Sequence, residues 1–255
     1  MYIRAAMGYS SHRKYILKDY LKTTLILIFS CLTLTSSAQQ QYELNTGWQC
    51  KKANDVTKGG EDISRTDFPL NGFMPATVPG TVLTTLLNNK LFPDPFYGMN
   101  NNLIPDIYTT GRDYYTYWFV KDINEVYPLA GEHVWLQFRG INYSSSVYLN
   151  GHKLNDEPDK GMYLRQSYDI TPYLEKSGHN RLAVIVYPPD PVGNPNGGQG
   201  GDGTIAHSIT NQYVAGWDWI QPIADRNTGI WDKVFIKKTK QVTVAPCMAC
   251  PVLTP

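Results

Sequence analysis

Along much of the chain, apolar and polar side chains alternate with the two-residue period of strands that bury one face. In residues 132–139, Val134, Leu136 and Phe138 fall on one side and His133, Trp135 and Gln137 on the other. Residues 42–50, 115–121, 145–150, 152–154, 163–170 and 230–237 read as further strands, and 242–245 as a candidate last one. Asn150-Gly151 separates two of these runs, which predicts a two-residue hairpin turn because both residues accept positive φ. Residues 181–187 are apolar on both faces, the pattern of a central strand. One short helix is expected over 81–89: Pro79-Gly80 breaks the chain, Thr81 can cap, and Leu83, Leu86 and Leu87 share a face. Residues 93–113 hold clusters of Pro, Gly and Asn and read as a long loop, which in an enzyme sits at a site or against a partner domain. Many short strands, no internal repeat and no strand–helix alternation predict an all-β sandwich of jelly-roll type.

Composition changes this picture little. The chain has 255 residues, a net charge of +1, 42% hydrophobic residues and 13% aromatic residues. Such a balance carries no electrostatic footprint for nucleic acid. Residues 1–38 read as a signal peptide. Arg4, His12, Arg13, Lys14, Lys18 and Lys22 make a basic start, 23–35 is apolar, and Ser36-Ser37-Ala38 supplies the small residues of a cleavage site. Met7 is an alternative start. The apolar run falls short of the ~20 residues that span a bilayer, so no stable membrane anchor is expected. The expected location is secreted, or periplasmic in a bacterium. Cys50, Cys247 and Cys250 would remain after cleavage, an odd number. Cys247-Met248-Ala249-Cys250 resembles a redox or metal hook but lacks a second pair of ligands, so neither metal nor cofactor is expected. Residues 188–203 are rich in Gly and Pro without the Gly-Lys-Ser/Thr ending of a phosphate loop, and read as a turning surface loop.

Candidate chemistry concentrates in residues 212–234. Trp217, Trp219 and Trp231 lie there, with Asp218 between the first two. In an extended run Trp217 and Trp219 share one face and Asp218 takes the other. A carboxylate held between indoles is a rigid acceptor suited to sugar hydroxyls. In the other reading the indoles fill the core and Asp218 bonds only backbone amides. A lone His207 nearby reads as structural.

The run Tyr213-Val214-Ala215-Gly216-Trp217-Asp218-Trp219-Ile220, followed by Pro222-Ile223 and by Asp225-Arg226-Asn227-Thr228-Gly229-Ile230-Trp231-Asp232, resembles glycoside hydrolase family 2, in its β-mannosidase and exo-β-glucosaminidase branch. The likeness continues through Val78-Pro79-Gly80-Thr81, Pro93-Asp94-Pro95-Phe96-Tyr97-Gly98, Gly140-Ile141-Asn142-Tyr143, Val147-Tyr148-Leu149-Asn150-Gly151 and the 197–203 glycines. It covers roughly residues 42–244 and implies the family's N-terminal, galactose-binding-like jelly roll over 39–245, with 246–255 an irregular tail.

That resemblance implies hydrolysis of β-glycosidic bonds with retention, which needs two carboxyl groups about 5 Å apart. In the family these come from a barrel downstream of an intervening sandwich, and such a barrel takes about 250 residues. The chain is therefore expected to be a piece of such an enzyme, inactive alone, whose partners are a terminal β-linked sugar and the downstream sandwich and barrel. The resemblance further implies that Asp218 reaches the barrel pocket and bonds hydroxyls of the sugar, with Trp217 and Trp219 shaping its surroundings. Arg226 is expected to brace Asp218 or the domain interface, or else to be an ordinary surface arginine. Trp231 is expected in the core. The proline- and cysteine-bearing end after Ala245 departs from the family pattern, and a reading frame lost there is one explanation. A free-standing carbohydrate-binding module and a structural domain with an apolar docking patch are the other readings.

Overall fold

A computed structural model describes residues 40–125, 127–192, 208, 210 and 223–240. The expected signal peptide, the strand at 242–245, the tail with Cys247 and Cys250, His207, and Trp217, Asp218 and Trp219 lie outside them.

In chain order the described residues form β1 (Gln40–Glu43), β2 (Trp48–Lys52), helix α1 (Gly60–Ile63), β3 (Met74–Pro75), α2 (Val82–Asn88), α3 (Ile107–Thr110), β4 (Tyr117–Asn124), β5 (His133–Phe138), β6 (Ser144–Leu149), β7 (His152–Lys153), β8 (Asp159–Lys160), β9 (Gln166–Asp169), β10 (His179–Tyr187) and β11 (Val234–Thr239). The strands make two antiparallel sheets, one ordered β1-β11-β5-β9 and the other β3-β2-β4-β10-β6-β7, with β8 also pairing β6. Their inner faces meet in a single core that draws Val134, Leu136 and Phe138 from β5, Ile236 from β11, Phe119 from β4, Val147 from β6, and Leu182 and Val184 from β10. This is the jelly-roll sandwich that the alternation predicts.

The two-sided apolarity of β10 has a clear cause. It is central, paired to β4 and β6. Its inward side chains enter the main core, while Ala183 and Ile185 on the outer face join Ile63, Trp118 and Val120 in a second cluster. Phe68, Leu70 and Phe73, from the stretch after α1, cover that cluster. The Asn150-Gly151 turn forms as expected, with φ of 49° and 86°, and joins β6 to β7.

Several boundaries differ. Residues 42–50 are two strands in different sheets, because the chain turns at Asn45-Thr46-Gly47 and Gly47 adopts φ 69°. Thr81 caps α2, its hydroxyl accepting from the Thr84 N–H at 3.1 Å. The buried face of α2 is Val82, Thr85 and Leu86, while Leu83 and Leu87 stay half-exposed. Two further helices, α1 and α3, have four residues each, too short to leave a 3.6-residue period. The 93–113 stretch is a chain of hydrogen-bonded turns rather than an open loop, with single 3-10 turns at Asn100–Leu103 and Arg112–Tyr115 flanking α3. The strand expected over 163–170 shortens to β9, and the one expected over 230–237 shifts to β11, starting four residues later and ending two residues later. Cys50 is free and buried on β2, and burial pushes its thiol up to about 12. Among the described residues, no helix is long and apolar enough to cross a membrane.

Candidate functional site

Stretches that are far apart in sequence close on one another at one place: 78–82, 140–143 and 225–230. Arg226 and Asn227 both take left-handed backbone, φ 51° and 58°, unusual for residues with a Cβ. Neighbouring groups hold that turn. The Asn142 side-chain amide donates to the carbonyls of Arg226 and Asn227 at 2.8 and 2.9 Å. The Asp225 carboxylate accepts from the Asn227 and Leu83 N–H groups, both at 2.8 Å. Asn142 and Gly229 exchange both backbone bonds, at 2.8 and 2.9 Å. The N–H groups of Gly80 and Val82 donate to the carbonyls of Ile230 and Thr228 at 2.8 and 2.7 Å. Burial pushes the fully enclosed Asp225 carboxyl above the usual carboxylate range, against the pull of the Leu83 N–H, the Thr81 side chain and the Asn227 N–H.

Arg226 is not a surface arginine: it is 1% exposed. Its guanidinium forks onto Asp106 at 3.1 and 3.3 Å. It also donates to the carbonyl of Val192 at 2.9 Å and to that of Ile223 at 2.6 Å. Val192 and Ile223 stand at either end of the stretch that carries Trp217, Asp218 and Trp219, so one buried cation fastens both ends. Arg112 fixes the approach to the first end, donating to the carbonyls of Pro188 and Pro189 at 2.8 and 3.1 Å and pairing with Asp190 at 3.2 Å. The donors of Arg226 are thus turned onto the protein itself.

Asp106 gives this cluster a second role. One of its oxygens caps α3 by accepting from the Tyr108 N–H at 2.7 Å. The buried Tyr115 hydroxyl bonds the neighbouring Pro105 carbonyl at 2.5 Å, and burial pushes that phenol far above its ordinary value. Trp231 departs from its expected core position. It lies half-buried against Gly140, where a Cβ would stand 2.5 Å from the indole. Its Nε1 donates to the Met162 carbonyl at 2.9 Å, a polar anchor that keeps the ring at the edge of the sandwich. Among the described residues, no three His, Cys, Asp or Glu side chains group as a metal site would need.

The roles of Asp106, Asn142 and Arg112 are not legible from local sequence. Their partners are up to 120 residues away. The one local sign is Asp106 itself, an acidic residue opening a helical turn directly after Pro105.

A two-sheet antiparallel sandwich with its loops gathered around such a turn defines a galactose-binding-like domain. The chain belongs to the glycosyl hydrolase 2 galactose-binding domain-like family, whose model matches residues 48–232. It is 50% identical over 207 residues to the mannosylglycoprotein endo-β-mannosidase of Lilium longiflorum, an alignment covering 79% of this chain and 21% of that protein. To the exo-β-D-glucosaminidase of Streptomyces avermitilis it is 28% identical, covering 81% of this chain and 20% of the relative. Among solved structures, the exo-chitosanase of Amycolatopsis orientalis superposes with a TM-score of 0.60 at 25% identity, covering 79% of this chain and 21% of that one. The β-D-mannosidase of Dictyoglomus thermophilum superposes with a TM-score of 0.56 at 25% identity, covering 77% of this chain and 22% of that one. The chain thus spans about a fifth of the length of the relatives it matches.

Proposed function

We propose that this domain supplies the sugar-ordering half of an active site in an exported family 2 glycosidase acting on β-mannosides, with β-glucosaminides the next candidate class. The observation that carries the reading is the Arg226 clamp. A buried guanidinium fastens residues 192 and 223, the two ends of the stretch bearing Asp218. A segment meant to present an acceptor in fixed register needs such fastening. The 50% identity to a β-mannosidase, against 28% to a glucosaminidase, supports the order of substrate classes. The basic and apolar pattern of residues 1–38 supports export.

In this proposal Asp218 accepts hydrogen bonds from hydroxyls of the sugar bound next to the scissile bond. An ionised acceptor makes shorter, stronger bonds to hydroxyls than a neutral one. It takes no part in bond breaking. The acid/base and nucleophile carboxyls of a retaining mechanism stand in the remainder of a family protein. Trp217 and Trp219 wall the acceptor, and Arg226 acts through the backbone it holds.

A half site binds poorly alone, because a few hydrogen bonds of about 1–3 kcal/mol do not offset the several kcal/mol lost on association. Calorimetric titration of the 255-residue chain with mannose, glucosamine and short β-linked oligosaccharides is therefore expected to show no binding up to about 10 mM. Millimolar or tighter binding that disappears in Asp218→Ala would replace this reading with a self-sufficient sugar-binding module.

A further inference from the structure

The chain has three Asn-Gly pairs, of which Asn71-Gly72 and Asn150-Gly151 lie among the described residues. An asparagine before a glycine can close a succinimide ring. The glycine nitrogen attacks the side-chain carbonyl carbon, and glycine has no Cβ to obstruct the approach. The fold treats the two pairs oppositely. The Asn150 side-chain amide donates to the Tyr173 carbonyl and the Asn180 side chain at 2.8 and 2.7 Å, and its oxygen accepts from the Arg181 N–H at 2.9 Å. The Gly151 N–H donates to the buried Ser64 hydroxyl at 2.9 Å. Both reacting groups are thus occupied. Asn71 and Gly72 are exposed. They form the middle of a turn closed by the Phe73 N–H on the Leu70 carbonyl at 3.1 Å, with Gly72 at φ 77°. Among the described residues, neither the Asn71 side chain nor the Gly72 N–H is hydrogen-bonded. The Lys51 ammonium donates to the Asn71 carbonyl at 3.3 Å and stands 5.7 Å from the centre of the Phe73 ring. That carbonyl belongs to the same peptide unit as the Gly72 N–H. A cation on its oxygen stabilises the anion formed when the nitrogen gives up its proton.

We propose that Asn71 is a site of spontaneous deamidation, with Lys51 promoting the ring closure. Solvent base takes the Gly72 N–H proton. The freed nitrogen bonds to the Asn71 side-chain carbonyl carbon, and the bond from that carbon to its amide nitrogen breaks. The amide leaves as ammonia, taking a proton from water. A water molecule then opens the succinimide at either carbonyl, which leaves aspartate or isoaspartate at position 71. In isoaspartate the free carboxylate is the former Asn71 backbone carbonyl, so its hydrogen bond to Lys51 becomes an ion pair. Isoaspartate also lengthens the backbone between Leu70 and Phe73, two of the side chains that cover the second apolar cluster. Asn150 has the same neighbour in sequence and is spared by its bonds.

The test is peptide mapping by mass spectrometry of the 255-residue chain incubated at mildly alkaline pH, with the amide-to-acid mass change followed at each asparagine. In the folded chain the Asn71 peptide is expected to convert about tenfold faster than the Asn150 peptide, or more, because Asn150 reacts only after local opening. In urea the two are expected to convert at similar rates. Lys51→Met keeps an apolar stem beside Phe73 and removes the charge. It is expected to slow Asn71 about threefold, the size of an exposed ionic contact. Concentrated salt is expected to slow the parent chain by a similar factor and to leave the variant unchanged. An unchanged melting temperature verifies that the variant folds, and the salt comparison in the parent chain stands without it. Asn71 left intact in the folded chain, or converting no faster than Asn150, would overturn the site. A gap between the two that persists in urea would mean that sequence, not fold, selects Asn71. Equal rates in the parent chain and Lys51→Met, with no effect of salt, would remove Lys51 from the reaction.

Discussion

Replacing Arg226 by alanine is expected to lower the unfolding free energy by about 3 kcal/mol, near the bottom of the range for breaking a buried ion pair. The low end applies because Asp106, the carboxylate left behind, is 28% exposed and regains water. The rest of the loss is local. The Val192 carbonyl loses the guanidinium donor, while that of Ile223 keeps the backbone N–H of residue 226, and a buried polar group left unpaired costs about 1–3 kcal/mol unless water reaches it. Alanine would also leave a void where a large, fully buried side chain stood. Arg226→Lys keeps the charge but not the planar fork, so it is expected to recover no more than about half of the loss. Chemical denaturation of the three proteins decides the matter. A loss below about 1 kcal/mol for the alanine variant, the size of an exposed pair, would mean that the clamp does not hold.

A larger effect is expected at Gly229. A Cβ there would stand 2.6 Å from the Gly80 carbonyl oxygen and 2.7 Å from the Thr81 Cα, both backbone atoms, at φ +151°. Neither neighbour can swing aside, because the Gly80 and Val82 N–H groups are bonded to Ile230 and Thr228 across the same contact. Gly229→Ala is expected to cost about 4 kcal/mol or more through backbone displacement and φ strain together. Gly98→Ala is the control, with φ +57° and nothing within 4 Å of its Cβ. It is expected to cost only the left-handed penalty of about 1–2 kcal/mol. Denaturation midpoints of the two variants measure the difference. Equal losses would show that the close approach of 78–82 to 225–230 is not a constraint.

What could be read from the chain and what could not follow from the range of the interactions. The β5 alternation, the two-sided apolarity of β10 and the Asn150-Gly151 turn are local patterns, and each element formed where its pattern lies. The split of 42–50 was missed because Leu44 and Trp48 keep an apolar rhythm across a turn; Asn45-Thr46-Gly47 was the available sign. The leucines of α2 predict its apolar face only in part: Leu86 is buried, but Val82 and Thr85 are buried with it in place of Leu83 and Leu87, and the Thr85 hydroxyl accepts from the Thr77 N–H at 3.0 Å. The motifs 78–81, 140–143 and 225–229 were visible as a likeness in order, but their meeting at one place was not. Arg226 shows the limit most plainly. Its neighbours in sequence fit a surface turn, and the partners that hold it, Asp106, Asn142 and Val192, are distant in the chain.

The most direct measurement is kcat/KM, with a β-mannoside, of a chimera of the lily protein carrying this chain in place of its matching segment, with Asp218 intact and as Asp218→Ala. Losing an acceptor that holds the sugar in register is expected to lower kcat/KM by about 100-fold, the equivalent of roughly 2.7 kcal/mol, with the chimera's melting temperature unchanged. Equal kcat/KM in the two proteins would remove Asp218 from the site and leave the domain a purely structural part of the hydrolase.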